Sequence, residues 1–171
     1  MKRTVLMVTA LLACSTLFAG DPPKPEKVSS DLERMKALAG SWVGKMQDGK
    51  TFHVTYRVIS EGSALLETMD MPEHAEDMVT VYHSDGDGVV MTHYCSMGNQ
   101  PRMRLDKDAS KGDSFVFAFA DATNLSSPDD AHMHHLVVTL KDKNHMTEEW
   151  TMRAGGKDGT PDVFELTRKK K

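Results

Sequence analysis

The sequence predicts an all-β fold: an antiparallel up-and-down β-barrel of about ten strands with one N-terminal helix. Three observations carry this. From Ser41 onward apolar residues recur with a period of two, the signature of half-buried strands. Turn-forming groups separate successive runs: Asp48-Gly49, Glu61-Gly62, Asp85-Gly86-Asp87-Gly88, Lys111-Gly112-Asp113 and Gly155-Gly156. No helix-period segment falls between the runs, which argues against a parallel sheet built from strand-helix-strand units.

The elements follow in order. Residues 1–20 read as an export signal, with Lys2 and Arg3 ahead of an apolar run from Val5 to Ala13 that is too short to span a bilayer. Leu11-Leu12-Ala13-Cys14 supports a competing reading in which Cys14 is lipidated and tethers the chain to a membrane. The expected location is secreted or periplasmic, with the lipoprotein as the alternative. Residues 21–28 form a polar linker stiffened by Pro22, Pro23 and Pro25, and residues 29–171 form the barrel domain. Ser30-Asp31-Leu32-Glu33 reads as a capping box that starts a helix running to Leu38, which Gly40 ends. Strands are expected near Ser41–Met46, Thr51–Ile59, Ala64–Met71, Met78–Ser84, Val89–Ser96, Arg102–Asp106, Ser114–Ala120, His132–Lys141, Met146–Ala154 and Asp162–Arg168.

The connections order these strands in space. In a meander, successive connections fall at opposite ends. The loops 72–77, 97–101 and 121–131 are the third, fifth and seventh connections, so they share one end, the mouth. The even-numbered connections are tight and close the other end, which the helix is expected to cap. An even number of strands brings the last beside the first, setting Arg168 near Trp42 as a cation–π plug worth about 1 kcal/mol. Alternation assigns inward faces to Phe52, Val54, Tyr56 and Val58, to Phe115, Phe117 and Phe119, and to Leu136, Val138 and Leu140.

Charge and cysteine count exclude several classes. Cleavage after Gly20 removes two basic residues and no acidic ones, taking the formal charge from −4 to −6 and arguing against a nucleic-acid partner. With Cys14 in the signal, Cys95 has no partner within the chain, so no disulfide staples the domain.

Gly40-Ser41-Trp42 after a short helix, with Arg168 closing the last strand, resembles the lipocalin and wider calycin pattern. Leu38 to Gly44, Thr92-His93-Tyr94-Cys95 through Gly98-Asn99-Gln100-Pro101-Arg102-Met103, and His132-Met133-His134 through Glu148-Glu149-Trp150-Thr151 resemble an exported bacterial lipocalin-like family to which no activity is assigned. The resemblance implies the barrel and a ligand cavity. It is distantly similar to the nitrobindins, ten-stranded barrels that hold haem through a histidine near the C-terminus. This chain departs there, because no histidine follows His145 and the last strand carries Phe164 and Leu166.

The residues able to carry chemistry concentrate near the expected mouth. His93, Cys95 and Met97 share one strand face with Val89 and Met91; His132 and His134 share parity with Leu136. Asn99 and Gln100 lie in the loop above, His74 in a neighbouring one. Three readings are open. In the plainest, the histidines, Cys95 and the methionines fill the core. In the preferred one, His93, Cys95, Asn99, Gln100, His132 and His134 orient a small apolar or amphipathic molecule within an interior lined by Tyr56, Phe117 and Trp150. No cofactor is then needed, and the protein is a carrier or sensor. In the third, His93, Cys95 and His134 hold copper or haem, although alternate strand residues stand about 6–7 Å apart, too far for three ligands from one strand. Glu148 has inward parity but lies nearer the closed end than His134, and the face of Glu67 is left open. No nucleophile elbow, phosphate loop or zinc-helix motif accompanies them, so an enzyme is the weaker expectation.

Overall fold

The structure is a computed structural model that describes residues 27–46 and 48–170. The export signal, the Cys14 anchor and most of the linker lie outside the described residues. The helix α1 spans Ser30–Met35 and continues as a 3-10 turn through Leu38. Its cap lies one residue earlier than the sequence suggests: the Ser29 hydroxyl accepts the Leu32 amide at 3.2 Å. Leu32, Met35 and Leu38 are fully buried, so one helical face seals the barrel. The Ser29 amide donates to Ser84 Oγ at 2.9 Å, and Arg34 stands over the Phe115 ring, which fixes the helix to the closed end.

The strands are β1 (Gly40–Lys45), β2 (Thr51–Ile59), β3 (Ala64–Asp70), β4 (Met78–Asp85), β5 (Gly88–Tyr94), β6 (Gln100–Leu105), β7 (Ser114–Thr123), β8 (His132–Asp142), β9 (His145–Ala154), β10 (Lys157–Asp158) and β11 (Asp162–Arg168). All pairings are antiparallel. β1 to β9 pair in sequence, β9 pairs with β11, and β11 returns to β1, so ten strands close a barrel. The two-residue β10 is an addition to the expected set, a short flap paired with the end of β9.

Closure uses the expected plug. Trp42 is the register partner of Arg168, whose guanidinium carbon lies 4.0 Å from the centre of the indole ring. The guanidinium also donates to the carbonyls of Ala37, Ala39 and Lys143 at 2.8, 2.7 and 2.6 Å, while Trp42 Nε1 donates to Leu38 at 2.8 Å. Gly40 is required here: its φ is +139°, and a Cβ would stand 2.6 Å from Arg168 Nη1.

The inward assignments hold for Phe52, Val54, Tyr56, Phe115, Phe117, Leu136 and Val138, all buried. Phe119 and Leu140 are half-buried, and Val58, at the last pleats of β2, is 37% exposed. Two bulges limit how far parity carries toward the mouth. β7 carries one residue too many against β6, because Met103 faces Phe119 while Arg102 faces Asp121. β8 does the same against β9: Met133 faces Met152 and His135 faces Thr151, leaving His134 unmatched. Each bulge inverts the faces of the residues above it.

Candidate functional site

Two features lie inside the barrel, a polar knot at its middle and a cavity above it, and a third polar cluster lies apart from them near the rim. The deepest was only half visible in the sequence. Tyr56, Glu67, Thr80 and His93 are successive register partners on β2, β3, β4 and β5, so they form one inward rung. Glu148 and Trp150 face them from β9. Tyr56 donates to Glu148 Oε1 at 2.7 Å, Trp150 Nε1 to Glu148 Oε2 at 3.2 Å, and Tyr82 to Glu67 Oε2 at 2.6 Å. All five side chains are at most 4% exposed.

Burial, reinforced by the charge of Glu148, pushes the Glu67 carboxyl well above the usual range, and the Tyr82 and Tyr56 hydroxyls only partly offset this. Burial also raises Glu148, against the opposing donors Tyr56 and Trp150. Two carboxylates in so dry a place resist ionising together, and Glu67, raised by burial and by the Glu148 charge, is the one held further toward its protonated form.

Above this knot lies a cavity of about 260 Å³ opening at the mouth. Met69, Met71, Met78, Met97, Met133 and Met152 line it, with His74, His93, Cys95, Ser96, Trp150, Asp162 and Phe164. His93 and Trp150 form its floor, their rings 4.7 Å apart. His93 is 3% exposed, and its Nδ1 pairs with Thr80 Oγ1 at 3.0 Å. Its Nε2 has no hydrogen-bond partner among the described residues. Burial lowers the His93 pKa to about 4, so the ring is neutral at physiological pH.

The structure divides the expected cluster. His93, Cys95 and Trp150 share the cavity. Tyr56 and Phe117 lie below it, Tyr56 in the carboxylate knot and Phe117 against Tyr82 at 5.5 Å. Asn99 is buried but serves as a strap, with Nδ2 donating to the Ala131 carbonyl at 2.8 Å. Its Oδ1 is fully buried and has no hydrogen-bond partner among the described residues. Gln100 is also a strap, accepting from Thr123 Oγ1 at 2.5 Å and donating to Gly98 at 3.1 Å.

His132 and His134 do not reach the cavity. The His134 bulge turns Met133 inward in their place, and His132 pairs with Arg153 on the opposite face. Together with Phe119 they line a separate recess under the loop 125–128. Both imidazoles lie against the Phe119 ring, at 4.6 and 4.7 Å. The hydrogen-bond pattern assigns their protons. His132 Nδ1 meets the Asp130 carbonyl at 2.7 Å, and a carbonyl only accepts. His132 Nε2 is therefore the acceptor, and His134 Nδ1 donates to it at 3.0 Å. Desolvation and the nearby Arg153 both lower the His134 pKa.

Among the described residues, no three His, Cys, Asp or Glu side chains are grouped to hold a metal ion, and no helix is long and apolar enough to cross a membrane. The cavity's volume lies just below the ~300 Å³ at which pockets for drug-sized ligands begin. Compared with protein-family models and with curated proteins, the chain matches none.

Proposed function

We propose that this protein is an exported carrier or sensor, calycin-like in its ligand chemistry, that holds a small neutral apolar or amphipathic molecule in its mouth cavity. The observation that carries this reading is His93: a buried, neutral imidazole with one nitrogen tied to Thr80 and the other without a partner among the described residues, in a chamber walled mainly by methionines and rings. Such a group orients a ligand hydroxyl, carbonyl or amine while thioethers and rings cover the rest. The volume suits one ring or a short chain, since a dry cavity of about 150 Å³ already holds benzene. The lining contains no lysine or arginine to pair with a carboxylate or phosphate head. Export rests on the pattern of residues 1–20, with the lipid anchor at Cys14 as the variant of the same reading.

Phenol and toluene, titrated by calorimetry and ligand-observed NMR, test it. Both are expected to bind, with phenol gaining from His93. His93→Leu should weaken phenol about tenfold, the equivalent of one hydrogen bond, and leave toluene unchanged. His134→Leu should alter neither. Failure of both probes to enter the cavity, or equal phenol binding by His93→Leu, overturns the reading.

A further inference from the structure

The lining of the mouth cavity is chemically lopsided. No leucine, isoleucine or valine borders it, although these residues fill the barrel below. Six methionines, a cysteine and a neutral histidine stand in their place. Aliphatic side chains would cover an apolar ligand equally well and with better-defined rotamers, so simple burial does not account for this choice. We propose that the cavity binds a soft monovalent cation, copper(I), through Met69, Met78 and Cys95, with His93 Nε2 as the adjacent donor.

The register sets the three residues side by side on the cavity wall. Met69 on β3 and Met78 on β4 are direct cross-strand partners, which sets their Cβ atoms about 5 Å apart. On the next strand Thr80 pairs with His93, and continuing that antiparallel register by one pleat sets Cys95 opposite Met78. The three residues thus occupy one rung, on β3, on β4 and just past the end of β5, immediately above the rung that ends in His93. All three residues are at most 9% exposed. The Cys95 amide donates to the Asn99 carbonyl at 3.2 Å, and its own carbonyl accepts from Gly98 at 2.9 Å, so a tight turn holds the thiol at the rim. Methionine's unbranched side chain lets the thioethers converge on an ion.

Charge and donor softness both suit a monovalent ion. Binding releases one proton: the Cys95 thiol becomes a thiolate on copper(I), the proton passes to solvent, and no electron moves. A thiolate and a monovalent ion neutralise each other, so binding adds no net charge to the cavity wall. Soft thiolate and thioether donors favour copper(I) for the same reason they disfavour magnesium or calcium. The site overlaps the organic ligand's cavity but does not depend on that reading.

Anaerobic titration of the full chain with copper(I) buffered by bicinchoninate, followed by native mass spectrometry, tests it. One copper per chain is expected, with one proton released. Met69→Leu/Met78→Leu and Cys95→Ser should each weaken binding tenfold or more, while Met103→Leu, which alters a buried methionine outside the cavity, should not. Thermal melts of every variant confirm that weaker binding is not unfolding. The inference is overturned if the chelator retains all the copper. It is equally overturned if the double methionine variant binds as wild type, or if binding is lost with His132→Ala/His134→Ala instead. Toluene binding without copper binding would remove this inference and leave the carrier reading standing; the opposite result would do the reverse.

Discussion

The lower and upper halves of this barrel are built by opposite rules. Below the floor, Trp42, Tyr56, Tyr82, Phe117 and Leu136 fill the interior at no more than 2% exposure, and the two buried carboxylates are hydrogen-bonded within it. Above the floor the walls are methionine, Met97 and Met152 are 43% and 41% exposed, and a cavity remains. The contrast separates stability from binding. The lower half is close-packed and specified residue by residue; the upper half is adaptable and gives up packing for space.

The most direct way to break that contrast is to truncate one side chain in each half. Phe117→Ala removes a ring packed against Tyr82 and should cost about 3–5 kcal/mol in denaturant unfolding. Met152→Ala, at the partly exposed rim, should cost under about 1 kcal/mol, because little of what it loses is buried. Equal losses would mean that the mouth is part of the core.

Acidity sharpens the same boundary, because the floor and the knot respond with opposite signs. His93 has its folded pKa lowered from 6.5 to about 4. Its contribution is therefore present above pH 6.5 and lost as pH falls toward 4, by about 3 kcal/mol in all. Glu67 has its folded pKa raised by burial and by Glu148, so its contribution is present below its ordinary value of 4.5 and lost as pH rises above it. Stability measured across pH should show both limbs. His93→Leu should flatten the acid limb alone. Glu67→Gln, a neutral isostere, should flatten the alkaline limb, with an advantage over wild type that grows with pH. An unchanged alkaline limb in Glu67→Gln would show that the carboxyl does not stay protonated in the fold.

How much of this the sequence discloses depends on where parity survives. Along β2, unbroken alternation places Phe52, Val54 and Tyr56, and the even strand count places Arg168 on Trp42. His93 and Cys95 are legible for the same reason, since β5 pairs without a bulge. His132 and His134 are not, because the extra residue in β8 inverts everything above it, and a bulge leaves no mark in composition. The carboxylate knot escaped for a different reason. Glu148 shows its inward parity, but Leu65, Glu67 and Met69 alternate with Leu66 and Thr68, so hydropathy alone does not select a face of β3. Only the register joining Tyr56 to Glu67 and Thr80 to His93 reveals that polar residues share one rung. A period-two scan for tyrosine and glutamate on the same face of neighbouring strands would have found it.

The smallest expected effect tests whether the bulge truly isolates the two histidine sites. His134→Phe keeps a ring against Phe119 but removes the Nδ1 donor that His132 Nε2 accepts. Losing one partly buried neutral hydrogen bond should cost about 1 kcal/mol. The loss should appear locally, as faster amide exchange in 124–131, because His132 also anchors that loop through the Asp130 carbonyl. Phenol binding in the cavity should stay at the wild-type value, since Met133, not His134, faces the chamber. A change in phenol affinity would mean that the recess and the cavity communicate across β8. The bulge would then act as a hinge between two sites rather than a wall.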